Sequence, residues 1–180
     1  KLVRTPSASN LVWLDLEMTG LDAQYDVILQ AAVVITDKEL QPLESYGCVI
    51  WQPEPELQKM TPFVREMHDK NGLLDRVRSS TLDLASAEKQ LLERVAGCCS
   101  LGAALCGNSV GHDKRFIDRY MPGLARYLGY RIVDVSSIKV LARAWYGDAA
   151  VYVKPQEGAH DAVVDIQRSI DELHHYRKTL

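Results

Sequence analysis

Hydrophobic runs of two kinds follow one another along this chain, and they predict different elements. Leu11–Leu16 (LVWLDL) and Val27–Thr36 (VILQAAVVIT) are continuous, the second rich in β-branched residues, as buried strands are. Ser45–Gln52 alternates apolar and polar positions and predicts a third strand. The connections between these three are short, which favours an antiparallel meander. Pro53, Pro55 and Pro62 then break the pattern, and Thr61-Pro62 reads as an N-cap and first helical position, with Gly72 closing that helix. Leu84, Ala87, Leu91 and Val95 form a helical stripe within Asp83–Val95. Ala103–Cys106 is a short apolar strand running into Gly107-Asn108-Ser109. Tyr130–Val135 predicts another strand, followed by a helix with Ile138, Leu141, Ala142 and Trp145 on one face. Gly147–Gly158 reads as a loop, and Asp161–Tyr176 as a helix whose Val163, Ile166, Ile170 and Leu173 face the core. An opening meander with helical crossovers later makes an α/β chain with a mixed sheet.

Composition narrows the class. With 180 residues, 47% hydrophobic and 25% charged, the chain suits one domain and excludes disorder, collagen and coiled coil. No apolar run approaches the roughly 18 to 20 residues of a membrane span; the longest, around Val27–Ile35, is interrupted by Gln30. Lysine and arginine number 21 against 24 acids, a net charge of -3. Proteins that grip long nucleic acid carry a basic stripe that neutralises phosphates, so a short piece in a pocket is the better expectation here, with no binding of long duplexes. Cys48, Cys98, Cys99 and Cys106 match no zinc spacing and fit a reducing compartment, hence a cytoplasmic location. Lys1–Asn10 reads as a polar tail of a processed chain, with Leu11–Arg177 a single domain. Lys1 and Arg4, with no acid before Asp15, also suit the stub of a transit peptide, which keeps a mitochondrial alternative.

The candidate chemistry lies in acids. Asp15 and Glu17 sit at i and i+2 at the end of the first strand, on one face. A carboxylate in an apolar strand is costly unless it is paired, binds a cation or simply meets solvent at the strand end. Asp113 follows the strand ending at Cys106, near a helix start where a capping acid is ordinary. His160 and Asp165 lie five residues apart where a loop enters the last helix; alone, they read as a loop histidine and a surface acid, with Asp161 as the cap. A mixed sheet can bring all these groups together. Four converging carboxylates would repel and raise one another's pKa, a conflict that Mg²⁺ or Mn²⁺ removes. Four acids and a histidine are what two-metal phosphodiester hydrolysis requires.

Four blocks together resemble the oligoribonuclease family, the dinucleotide-degrading branch of the DEDDh 3′→5′ exonucleases. They are Leu14-Asp15-Leu16-Glu17-Met18-Thr19-Gly20-Leu21, Cys106 to Phe116 (CGNSVGHDKRF), Tyr130 to Ser137 (YRIVDVSS), and His160 with Asp165. The resemblance implies an RNase H-like fold with a five-stranded mixed sheet flanked by helices. It implies that Asp15, Glu17, Asp113 and Asp165 bind two divalent ions, that His160 is the general base, and that the protein is a homodimer. It further implies Leu21 as an apolar wedge between two bases and Phe63 as the aromatic beside the substrate, where tryptophan is usual. Ser109, Arg131, Ser136 and His68 would cap the 5′-phosphate, with Tyr130 delivered from the partner subunit. Such a cap leaves no exit for a third nucleotide, and a few placed donors replace a basic track. Gln30 stands where the family usually has glutamate, and Val164 where an acid is frequent; neither removes a catalytic group.

Two other readings use the same residues. One is a relative acting on longer RNA or DNA, against which the cap residues and the missing basic stripe argue. The other is a catalytically weak RNA-binding relative, against which the presence of all five catalytic positions argues.

Overall fold

The central strand, β1 (Leu11–Met18), explains much of the architecture, because its alternate residues face two different helical layers. The computed structural model describes residues 5–155 and 161–179. β1 pairs antiparallel with β2 (Ile28–Thr36), which pairs antiparallel with β3 (Pro42–Val49). On its other side β1 runs parallel to β4 (Ala103–Gly107), and β4 parallel to β5 (Leu128–Asp134). The sheet order is β3-β2-β1-β4-β5, a mixed five-stranded sheet flanked by helices.

Val12, Leu14 and Leu16 of β1 point into one core, with Leu91 and Val95 of α4 (Leu84–Cys98), Phe116 and Ile117 of α5 (Gly111–Tyr120) and Leu124 of α6 (Pro122–Tyr127). Trp13 points the other way, into a second core with Ala142 of α7 (Val135–Tyr146) and Ile166, Ile170 and Tyr176 of α8 (Ala162–Thr179). Period-two alternation therefore places Asp15 and Glu17 on the α8 side of the sheet. A third cluster covers the β2 end through Leu57 of α1 (Glu54–Gln58) and Leu73, Leu74 and Val77 of α3 (Leu73–Ser79). Between these two helices lies α2 (Pro62–Lys70), with Thr61 as its N-cap.

Parallel pairing of β4 to β1 is confined to Leu11, Val12 and Trp13. The last residues of β1 thus run past the final β4 rung, and the ladder to β2 shifts register between Glu17 and Met18. The C-terminal ends of β1, β4 and β5 share one edge, where a parallel segment meets an antiparallel one, the place where open α/β sheets form their crevices.

Three sequence expectations change. β3 starts at Pro42 rather than Ser45, and β5 starts at Leu128. α1 and α3 were not foreseen, being too short to show a helical period. On α7, Ala142 is buried and Ile138 packs against the core, but Leu141 and Trp145 are exposed. α7 follows edge strand β5, whose Tyr130 and Ile132 are also exposed, and among the described residues no strand lies beyond β5. Ser7, in the expected tail, bridges Cys99 after α4. No helix among the described residues is long and apolar enough to cross a membrane.

Candidate active site

Each of Asp15, Glu17 and Asp165 presents a carboxylate oxygen within 4.8 Å of those of the other two. β1 supplies the first pair, and the first turn of α8 the third. Asp113, in the first turn of α5, is buried, and its Oδ1 accepts the N–H of Leu16 at 3.0 Å. Of the four acids expected to converge, Asp15, Glu17 and Asp165 cluster directly, and Asp113 is tied to β1 by a bond to the residue between the other two on that strand.

Their electrostatics follow. Burial, then Asp113, Glu17 and Asp165, push the Asp15 carboxyl well above its ordinary value, with Lys154 opposing. Glu17 is pushed up to about 8 by burial first and by Asp165, Asp113 and Asp161 after it. Asp113 rises to about 7, chiefly by burial, although hydrogen bonds from backbone N–H groups act against the rise. Acids this crowded hold protons near neutrality unless a cation compensates them. The donors are all oxygen, which suits a hard divalent ion.

Groups around the acids adjust this balance. Arg168 Nη1 lies 3.1 Å from Asp165 Oδ1, at a nearly buried side chain. Gln30 stands opposite Glu17 in the β1–β2 ladder, on the same face. Its Nε2 reaches Asp161 Oδ2 at 3.5 Å, while its buried Oε1 finds no hydrogen-bond donor among the described residues. An orphaned acceptor beside the acids adds to an oxygen-rich pocket that fits a cation or its water shell.

The expected substrate groups fall in three places. Leu21 is exposed on the turn after β1, where Asp26 accepts from Thr19 Oγ1 and Asp22 N–H, both at 2.9 Å. Gly20 is required there, since a Cβ would collide with the Asp26 carboxylate. This turn faces Thr61, Val64 and Arg115 across an open groove, and Phe63 is exposed on α2. Ser109 and Ser136 come together, their hydroxyl oxygens 3.1 Å apart. Asp134 Oδ1 sets that pairing by accepting both of their backbone N–H groups at 2.9 Å, with Ser109 held at φ 50. Arg131 lies with its guanidinium carbon 4.7 Å from the centroid of the Tyr130 ring, and Tyr130 is 81% exposed.

His68 departs from the expectation. It is fully buried, its Nε2 is 2.9 Å from the Met18 carbonyl oxygen and its Nδ1 3.9 Å from Glu17 Oε2. It lies on the inner face of α2 and buttresses the end of β1, so it offers no exposed surface to a phosphate. His160 lies outside the described residues.

Sequence reasoning missed Asp134, Asn108, Lys154 and Glu172. Asp134-Val135-Ser136 carries a readable signal, an acid two residues before a serine at a helix start. The other three have none, since Asn108 meets Lys154 across 46 residues and Glu172 across 64.

Acids at the end of a central strand and at the heads of two helices, on a mixed sheet of this order, define a metal-dependent nuclease domain of the RNase H-like exonuclease fold. The family model described as Exonuclease matches residues 12–173. At the level of sequence the chain is 46% identical over 173 residues to an oligoribonuclease of Mycobacterium sp. (strain KMS), covering 94% of this chain and 80% of that one. Identity is 44% to an oligoribonuclease of Hahella chejuensis (94% and 93% covered) and 42% to the mitochondrial oligoribonuclease of Homo sapiens (96% and 74%). The chain belongs to the oligoribonuclease family. Among solved structures, E. coli Exonuclease I in complex with a 5cy-dT13 oligonucleotide superposes with a TM-score of 0.73 at 15% identity. That likeness covers 95% of this chain and 41% of the Exonuclease I chain, and it is one of fold.

Proposed function

We propose that residues 11–177 form a single exonuclease domain that removes nucleotides from the 3′ end of very short RNA, dinucleotides above all. The observation that carries this reading is the meeting of Asp15, Glu17 and Asp165 within 4.8 Å, with Asp113 bonded to the same strand. These four acids hold two divalent ions, Mg²⁺ or Mn²⁺. Ions bound there would neutralise charge on the phosphodiester and ease ionisation of the attacking water. His160, five residues before Asp165, accepts that water's proton. The water oxygen bonds to phosphorus as the bond to the 3′-oxygen breaks, and the 3′-oxygen takes up a proton. A 5′-phosphorylated dinucleotide yields two 5′-mononucleotides.

Length selection comes from the groups around the acids. Leu21 separates the two bases and Phe63 offers an aromatic face. Ser109, Ser136 and Arg131 receive the 5′-phosphate, and the partner's Tyr130 completes the site in a homodimer. The exposed Tyr130, Val140, Leu141, Trp145 and Tyr146 on β5 and α7 support that dimer, because an apolar patch of this kind marks an interface. Four buried, free cysteines support a reducing compartment such as the cytoplasm.

The test is a chain-length profile of labelled two- to twenty-mers with Mg²⁺ or Mn²⁺. Mononucleotides should appear fastest from the two-mer and should vanish with EDTA or in Asp15→Ala. Equal turnover of the two-mer and twenty-mer, or release that persists in EDTA, overturns the reading. His160→Ala should depress kcat far more than KM.

A further inference from the structure

Glu172 is fully enclosed in α8, seven residues beyond Asp165. A buried carboxylate is expensive unless every lone pair is used. Here each oxygen meets two partners, three of them hydrogen-bond donors and Lys139 an ion-pair neighbour. Oε2 takes Asn108 Nδ2 and Lys154 Nζ, both at 3.0 Å, and Oε1 takes the Tyr176 hydroxyl at 3.0 Å and Lys139 Nζ at 3.2 Å. Burial alone would raise its pKa, but Lys154, Asn108 and Lys139 outweigh burial and hold it below the usual value. The partners come from the turn after β4, from α7, from the segment before α8 and from α8 itself. Well-packed apolar side chains commonly match or exceed a buried ion pair in stability, so what such an arrangement contributes is geometry.

The geometry reaches the two serines. With Lys154 Nζ donating to Asn108 Oδ1 at 2.9 Å and Glu172 accepting from Nδ2, the Asn108 amide has one orientation only. Its Nδ2 then faces Ser136 Oγ at 3.3 Å and occupies a lone pair of that hydroxyl. Ser136 Oγ in turn lies 3.1 Å from Ser109 Oγ. Accepting from Asn108 favours Ser136 as the donor to Ser109, which leaves the Ser109 proton free to give, and an anion needs donors.

We propose that Glu172 is a positioning residue for recognition of the substrate's 5′-phosphate. Fixing the Asn108 amide through Glu172 makes Ser136 the donor to Ser109, so that the Ser109 hydroxyl keeps its own proton for that phosphate. This rests on the reading of Ser109 and Ser136 as the phosphate site. Neutral Gln at position 172 would bring its own N–H₂ group to Asn108 and Lys154, and the amide would lose its single orientation.

The experiment compares dinucleotides with a 5′-phosphate and with a 5′-hydroxyl. Glu172→Gln should raise KM for the phosphorylated form about tenfold, the value of one charge-assisted hydrogen bond. KM for the hydroxyl form should stay within about twofold, and kcat for both within about threefold. Asn108→Ala should behave alike, and the double variant should be no worse than either single one, because the two residues act as a unit. Equal KM increases for both substrates, a fall in kcat alone, or additive effects would overturn the proposal. Should Glu172→Gln unfold, Asn108→Ala decides by the same comparison. A parent protein that releases mononucleotides but does not distinguish the two substrates defeats the phosphate site itself, a different result from loss of the Glu172 effect.

Discussion

The backbone N–H of Leu16 donates to Asp113 Oδ1 at 3.0 Å, and this one bond ties the head of α5 to β1 between its two acids. Leu16 itself points into the opposite core. Its amide is available on this edge because β1 has run beyond its last rung with β4. The bond both places Asp113 and restrains its rise in pKa.

Asp113→Asn keeps an oxygen for Leu16 but removes a charge from the acid cluster. Metal-free Tm at pH 8 should therefore rise or hold, while turnover falls by about a hundredfold or more, as loss of an ion-binding acid should cost several kcal/mol of transition-state stabilisation. The stabilisation conferred by Mn²⁺ should shrink in parallel. Thermal melts with and without Mn²⁺, read beside single-turnover rates, check this; an unchanged Mn²⁺ response would remove Asp113 from the ion site.

Stability of the metal-free protein should fall as pH rises. Glu17 goes from 4.5 to about 8 on folding and Asp113 from 3.8 to about 7. Between those limits the folded chain holds protons that the unfolded chain has released, so the slope of unfolding free energy against pH is negative. The favourable linkage is present toward pH 4 and is gone above about pH 8. Metal binding must expel the same protons, so affinity for Mg²⁺ or Mn²⁺ should grow with pH across this range. Calorimetry in buffers of different ionisation enthalpy would show proton release near pH 7, and none if the acids were already ionised.

Arg168 lies 3.1 Å from Asp165 Oδ1 and competes with a cation for that carboxylate. Arg168→Gln should tighten Mn²⁺ binding by about three- to tenfold, about 1 kcal/mol for a charged neighbour in a partly screened site. Direct titration with Mn²⁺, followed by its paramagnetic resonance signal, reads this without any turnover. Weaker binding would mean that Arg168 holds Asp165 in place for the ion.

The exposed face of α7 and β5 should disappear in a dimer. Trp145 is 66% exposed and Tyr130 81%. Trp145→Glu should shift the mass measured by light scattering to that of a single chain. Removing an aromatic anchor from an interface centre typically costs about 2 kcal/mol or more. Turnover of dinucleotides should drop with it, because the partner's Tyr130 leaves the site. A parent that is already monomeric at micromolar concentration overturns the dimer.

Local pattern was enough to identify β1, β2, β4, α4 and α8, because each carries a strong period or an unbroken apolar run over its length. The i, i+2 spacing of Asp15 and Glu17 also put both acids on one face, but only the packing of Trp13 against Ile166 and Ile170 shows that the helix bearing Asp165 covers it. The Leu141–Trp145 stripe of α7 was legible as apolar, but sequence cannot tell a face buried within one chain from one left for another. α1 and α3, of five and seven residues, are shorter than the window of about 11 residues in which a helical period shows, and their placement rests on packing against Leu29.

The amino-acid order alone marked Asp15 and Glu17 as candidates for chemistry, since carboxylates interrupting an apolar strand need no neighbour to look costly. Only the fold decided how those groups are tuned. His68 became a buried buttress rather than a surface donor, and Asn108, Lys154 and Glu172 met across the molecule. Hydrogen bonds and pKa shifts depend on distances of a few ångströms in a low-dielectric interior. Those distances are set by how the layers pack, and no spacing along the chain encodes them.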